Sequence, residues 1–322
     1  MTTPPRHRGL FTIPVTPFAE DGSLDEASLR RVLAFCLEAG AHGIVTPVNA
    51  SEFSTLDPEE RRTVTRVAVE ETERAGKRGR VPVVVGVCAR TTAETVELAR
   101  YAAGVGADAV ITMPAYDPPP ADESELFAFF GALADATDLP IYVQNHEKVG
   151  PPGQPGPGHP MTPELLARLC REIEAVKYIK EESLNTGYKI VKTLELAGDA
   201  CWGIMGGKAG RYLLDEFRRG ACGTMPACES TDVHARLWNT LDAGQEAEAR
   251  HLFNALLPLL NYEAAFGTAV YKEVLYRRRI IASPTKRLPG LTLDAYDHQE
   301  LDRILADLAP RFGVPTPTTR PV

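Results

Sequence analysis

The sequence is poor in the features that mark most specialised classes. No Cys-x-x-Cys pair occurs, and the six cysteines (Cys36, Cys88, Cys170, Cys201, Cys222, Cys228) are scattered, mostly through apolar segments. In a chain of 322 residues this is the usage of reduced, buried thiols in the cytoplasm rather than of a disulfide scaffold. Basic residues are not in surplus: 35 Lys and Arg stand against 43 Asp and Glu, a net charge of −8. That balance gives no footprint for nucleic acid. No apolar run approaches the roughly 18 residues that span a bilayer, and Met1 to Arg8 holds no apolar signal core. The expected partners therefore include neither nucleic acid nor membrane. The seven histidines are dispersed, with no His-Glu-x-x-His and no His/Cys cluster, so no metal and no cofactor is expected.

What is present is a rhythm. Apolar strand-like runs recur at Gly9–Val15, Gly43–Val48, Val81–Val87, Ala109–Met113, Pro140–Asn145 and Val176–Glu182, with weaker ones at Ala200–Met205 and Gly220–Met225. Eight runs at intervals of roughly 20 to 37 residues match the size of a βα unit. Helix signals lie between them. Asp25 precedes an amphipathic run with Leu29, Val32, Leu33, Cys36 and Leu37 on one face, and Asp57-Pro58-Glu59-Glu60 is a cap with acids at the positive helix end. Thr91 or Thr92 and Thr162 open further helices, and Gly40, Gly76, Gly104 and Gly220 are placed to stop them. Alternating βα units predict a parallel sheet, and eight of them close most economically into a (β/α)8 barrel over residues 1–230, its eighth helix running to about 243. A doubly wound open sheet is the alternative, but the Gly-x-Gly-x-x-Gly that usually signals it is missing after the first strand. Residues 244–310 read as a helical extension in three segments, near Gln245–Leu260, Tyr262–Ile281 and Leu293–Leu308, and 311–322 as a mobile tail.

The active site of such a barrel lies at the carboxyl ends of its strands. In Val176-Lys177-Tyr178-Ile179-Lys180-Glu181-Glu182, strand alternation puts Val176, Tyr178 and Lys180 on one face and turns Glu181 away. Lys180 is then either a solvated strand-end lysine or an imine-forming nucleophile. An unperturbed lysine is neutral about once in 2,500 molecules at pH 7, and burial in an apolar mouth raises that fraction. Strand two runs into Asn49-Ala50-Ser51, whose backbone N–H groups suit a substrate carboxylate. Strand four runs into Pro114-Ala115-Tyr116 and strand five into Gln144-Asn145-His146. Gly207 and Met225 end strands seven and eight and complete the set of expected substrate contacts. A Gly- and Pro-rich stretch from Gly150 to Pro160 reads as a lid or a spacer.

These residues resemble a known family, the class I Schiff-base aldolases and dehydratases related to dihydrodipicolinate synthase and N-acetylneuraminate lyase. The likeness covers roughly residues 8 to 310 and rests on Gly9–Phe18, Asp21–Asp25, Ala50–Leu56, Met113-Pro114-Ala115-Tyr116 and Tyr178-Ile179-Lys180-Glu181. It implies Lys180 as the imine lysine, a small 2-keto acid as substrate, and a homo-oligomer built as a dimer of dimers. It also implies that Tyr116 relays protons across a subunit interface. The synthase and lyase members carry Gly-Thr-Thr-Gly-Glu where this chain has Val48-Asn49-Ala50-Ser51-Glu52, and Tyr-Asn-Val-Pro where it has Gln144-Asn145-His146-Glu147. Pro5–Gly9, Val143-Gln144, Leu257–Glu263 and Ile280–Ser283 are more similar to the branch containing L-2-keto-3-deoxyarabonate dehydratase. That branch carries Lys-Ile-Glu where this chain has Ile179-Lys180-Glu181. The expected chemistry is dehydration of a 2-keto-3-deoxy sugar acid, with Lys180 and Tyr116 catalytic and Gln144 orienting substrate hydroxyls. Aldol cleavage or synthase-like condensation through the same imine is the alternative, and a keto-acid-binding protein without turnover a more distant one.

Overall fold

The computed structural model describes residues 7–149, 156–157, 161–314, 317 and 319–320. Eight parallel strands close into a barrel: β1 (Gly9–Thr12), β2 (Gly43–Thr46), β3 (Val83–Gly86), β4 (Ala109–Thr112), β5 (Ile141–Asn145), β6 (Val176–Glu181), β7 (Gly203–Gly206) and β8 (Gly223–Thr224). Each pairs with its sequence neighbours, and β8 closes on β1 through Gly9 opposite Gly223. The open-sheet alternative is thereby excluded.

The helices begin where the caps predicted. Asp25 accepts from the Ser28 amide ahead of α1 (Glu26–Glu38), and Asp57 with Glu60 forms a reciprocal capping box ahead of α2 (Pro58–Arg74). Thr91 does the same with Glu94 ahead of α3 (Thr92–Val105). That helix ends on Gly106 at φ 91°, two residues beyond the expected Gly104, which stays helical. After α4 (Glu123–Ala134), Thr162 caps α5 (Pro163–Glu172). Then follow α6 (Thr186–Ala197), α7 (Leu213–Arg218) and α8 (Thr231–Asp242). Leu29, Val32, Leu33 and Cys36 are fully buried between α1 and the sheet.

Side chains fill the barrel interior in layers. Phe11, Val45, Val84, Ile111, Met205 and Met225 meet there, and Tyr142 stacks on Tyr178 with ring centroids 4.3 Å apart. His7 stacks on Tyr178 and holds the Tyr142 hydroxyl at 2.6 Å, which shuts the amino end of the barrel. One detail of β6 departs from strict alternation. Ile141 faces Val176 while Tyr142 faces Tyr178, so a register shift moves Val176 off the Tyr178–Lys180 face and into the layer between barrel and helices.

Three further helices follow: α9 (Glu246–Phe266), α10 (Thr268–Arg277) and α11 (Ala295–Leu308). The break between the first two falls at Gly267 (φ 53°), not at Asn261, because α9 runs through Pro258 for 21 residues. With α8 they bury a core of their own around Trp238, Leu252, Leu256, Leu259 and Leu305. Of the stretch expected as a lid, Gly156 and Pro157 pair antiparallel with Val149 and Lys148, and the rest lies outside the described residues. So do Pro5, Arg6 and parts of the expected mobile tail (Pro315, Thr316, Thr318, Pro321, Val322). Among the described residues no helix is long and apolar enough to cross a membrane.

The end of β7 is shaped by two missing side chains. A Cβ at Gly206 would lie 1.9 Å from a carboxyl oxygen of Glu216, and one at Gly207 would lie 1.9 Å from Cγ of Glu182. Glu216 is fully buried on α7. Burial is the main cause that lifts its pKa from the ordinary 4.5 to about 8. An acid whose folded pKa is raised contributes stability that is complete below about pH 4.5 and lost as pH climbs through about 8. Glu216→Gln should therefore flatten the decline of Tm across that window; an unchanged pH profile would show that Glu216 is ionised in the folded chain.

Candidate active site

Lys180 ends β6 at the carboxyl mouth of the barrel, and its residue is 2% exposed. This rules out the solvated-lysine reading. Its ammonium sits 3.0 Å from Oε2 of Glu182, with both side chains nearly out of water. Glu181 points the other way, as alternation required. Its carboxylate accepts from the Ser183 amide and hydroxyl and from Asn145.

Glu182, which the sequence reading did not single out, shares the buried centre of this site with Lys180. Its Oε2 also accepts from Gln144 Nε2 at 2.6 Å, and its Oε1 accepts from the Lys208 amide at 3.3 Å. Burial works to raise its pKa, but the Lys180 ammonium, His146 and these hydrogen bonds outweigh that, and the carboxyl is held below its ordinary value. The signal was available: period 2 places residue 182 on the face of residue 180. The Lys-Ile-Glu of the dehydratase branch, aligned by its lysine, falls on Lys180-Glu181-Glu182 and puts its acid on Glu182.

Lys180 and Glu182 open into a cavity of about 300 Å³ walled by Asn49, Ala50, His146 and Met225 on the barrel side. Lys208, Ala209 and Arg211 join from the turn after β7, and Glu263 and Tyr271 from α9 and α10. Lys208, Ala209 and Gly210 are consecutive left-handed residues, a strained turn that directs Lys208 and Arg211 inward. Lys208 Nζ stands 3.5 Å from Glu147.

Several expected contacts are placed elsewhere. Gln144 is buried and bound to Glu182, so it orients the carboxylate rather than a substrate hydroxyl. Asn145 alternates outward with Glu181, and its side-chain amide ties the strand end to both the N–H and the carbonyl of Met161. Ser51 donates to the Pro14 carbonyl, and its amide closes a turn on Val48. Gly207 does not line the cavity but gives Glu182 its seat. Of the β2 turn, Asn49 and Ala50 remain at the cavity wall. Tyr116 is not brought to Lys180 within one chain. It packs with Phe53, Cys88 and Met113 and lines a separate surface cavity with Arg61 and Arg90.

Glu52, at the same turn, adopts a left-handed conformation and is fully buried. One oxygen meets Lys272 at 2.5 Å and the other accepts from the amides of Arg287 and Leu288, so it fastens α10 and the following loop to the barrel rim. Burial lowers the Lys272 pKa to about 8 against the pull of Glu52.

Against this geometry, the family model described as the dihydrodipicolinate synthetase family matches residues 6–308. The L-2-keto-3-deoxyarabonate dehydratase of Azospirillum brasilense is 32% identical over 95% of this chain and 96% of its own length. The 4-hydroxy-tetrahydrodipicolinate synthase of Methanothrix thermoacetophila is 29% identical over 95% and 98%. The crystal structure of dihydrodipicolinate synthase from Rhodopseudomonas palustris superposes with a TM-score of 0.80 at 27% identity, over 96% of this chain and all of that one.

The seat of Glu182 is testable. In Gly207→Ala the new methyl group displaces the Glu182 side chain, an overpacking that costs about 1–3 kcal/mol. The variant should melt earlier and trap keto acids on Lys180 more slowly. Wild-type melting and trapping in that variant would show that the Glu182 side chain has room to move aside.

Proposed function

The chain belongs to the dihydrodipicolinate synthetase family of Schiff-base lyases, and from that premise we propose that it dehydrates a 2-keto-3-deoxy sugar acid through an imine on Lys180. The observation that carries this reading is the buried contact between Lys180 and Glu182, with Gln144 bound to the same carboxylate.

Lys180 attacks the C2 carbonyl, and loss of water leaves an iminium that draws electrons from C3. Glu182, adjacent to that nitrogen and held as a carboxylate, takes the C3 proton to give an enamine. The enamine expels the C4 hydroxyl, and Glu182, now a carboxylic acid, returns the proton to it as it leaves as water. Hydrolysis of the conjugated iminium frees Lys180. The substrate carboxylate lies at the β2 turn, toward the amides of Asn49 and Ala50. Tyr116 enters this scheme only from a second copy of the chain, as the family resemblance implies for a dimer of dimers.

Aldol cleavage would use the same imine but requires a base for the C4 hydroxyl. The position that carries a tyrosine in the synthase and lyase members holds Gln144 here, which cannot take up a proton near neutral pH. The similarity to the Azospirillum dehydratase supports the same choice.

Wild-type protein given a 2-keto-3-deoxypentonate should yield a product lighter by one water and little pyruvate, read by mass spectrometry with a coupled pyruvate assay. Stoichiometric pyruvate without loss of water would reverse the assignment to aldolase. Lys180→Arg should fold, yet form no borohydride-trapped adduct with pyruvate, because a guanidinium does not deprotonate in proteins. Glu182→Gln should still form that adduct but lose roughly 10²–10⁴-fold in kcat, the share expected of general acid–base catalysis. A wild-type kcat in that variant would move the proton chemistry to His146.

A further inference from the structure

The cavity has a second acidic wall that the imine scheme does not use. Glu263 projects from the last turns of α9, is 2% exposed, and contributes to the wall of the cavity that holds Lys180. Neither of its carboxyl oxygens meets an N–H or hydroxyl donor among the described residues, and a hydrogen bond to Glu229 forms only when one of the two acids holds a proton. An ionised carboxylate buried without a donor is expensive, so a ligand group or a proton must satisfy it. Its neighbour is a second buried acid, Glu229, which accepts from Ser230 on one oxygen and from nothing on the other. Burial first, and the Glu229 carboxylate after it, hold Glu263 well above the usual carboxylate range. Arg211 lines the same cavity and lowers the Glu263 pKa only weakly, while Lys208 beside it faces Glu147. Tyr271, eight residues along and past the Gly267 break, lines it as well.

A wall of this composition suits an uncharged polyol. A second carboxylate on the substrate would meet Glu263 with Glu229 behind it, against Arg211 and a Lys208 that already faces Glu147, whereas a hydroxyl can both accept from a protonated carboxyl and donate to its carbonyl oxygen. Resting on the imine reading above, we infer that Glu263 determines specificity, hydrogen-bonding a hydroxyl of the substrate tail beyond C4, with Glu229 as the positioning residue behind it. The enzyme then takes 2-keto-3-deoxy acids with a neutral, hydroxylated tail and discriminates against analogues that lack the tail hydroxyl.

The test compares wild type, Glu263→Gln and Glu263→Leu on two substrates: a 2-keto-3-deoxypentonate, and 2-keto-4-hydroxypentanoate, which lacks the C5 hydroxyl. Borohydride trapping of pyruvate, which has no tail, reports separately on Lys180 and on folding. Pyruvate trapping should be equal in all three proteins. Wild type should prefer the pentonate by roughly tenfold or more in kcat/KM, the effect of a buried hydrogen bond made or missed. Glu263→Leu should erase that preference, chiefly through KM. Glu263→Gln, which keeps a donor and an acceptor, should stay within about threefold of wild type. Normal pyruvate trapping with an undiminished preference in Glu263→Leu would overturn the assignment of Glu263 alone. Absence of the pyruvate adduct from wild type would overturn the imine reading and this inference with it.

Discussion

The contact on which the site depends is the Lys180–Glu182 pair in a mouth that excludes water. Two opposite charges at 3.0 Å, each nearly inaccessible, are costly to desolvate and are retained only where the geometry supplies further hydrogen bonds. Gln144 on β5 and the Lys208 amide after β7 supply them to Glu182 from either side of β6. Three adjacent strands therefore converge on one carboxylate, and the lysine is held through it. The glycine at 207 belongs to the same device, since any side chain there would occupy the space of Glu182.

The C-terminal helices complete the mouth rather than merely adding mass. Glu52 at the rim holds Lys272 of α10 in a pair buried on both sides and also accepts from the half-buried loop at Arg287 and Leu288. That anchor sets where α9 and α10 lie over the barrel, and so where Glu263 and Tyr271 reach the cavity. A change in these helices would alter the tail wall and leave the imine pair intact, because the two are built on different elements. Such separation lets one reactive centre serve different substrates by varying one wall.

The barrel was legible because its signals are local: caps at Asp25, Asp57 and Thr91, and strand runs at regular spacing. Lys180 was legible because alternation and burial agree there. Glu182 closes the same run two residues beyond Lys180, so its face follows from the same period, but its contacts with Gln144 and its seat at Gly207 come from neighbouring strands. Other residues were not accessible to that reasoning. Asn145 and Ser51 look like ligands in sequence because they end strands, but the backbone at Met161 and Pro14 needs partners, and these short side chains provide them. The register shift at Val176 arises from pairing with β5, which no single strand encodes. Glu263 sits on a helix about eighty residues beyond Lys180 in sequence, in a segment that reads only as amphipathic. Its place at the cavity follows from the packing of α9 over the barrel mouth.

The character of the proton donor ties these features to the reaction. A phenol at position 144 would offer a base of pKa about 10, and a carboxylate offers one of about 4. The structure has exchanged one for the other, since Gln144 cannot ionise and instead fixes Glu182, whose carboxyl is held low by the groups around it. So weak a base is poorly suited to ionising an alcohol, as carbon–carbon cleavage demands. It is adequate for a carbon acid already activated by an iminium, and once protonated it is a competent acid toward a departing hydroxyl. In the proposed reaction, the pairing of a lysine with a glutamate two residues later would favour loss of water over cleavage of the chain, through the acidity of one side chain rather than through the shape of the barrel.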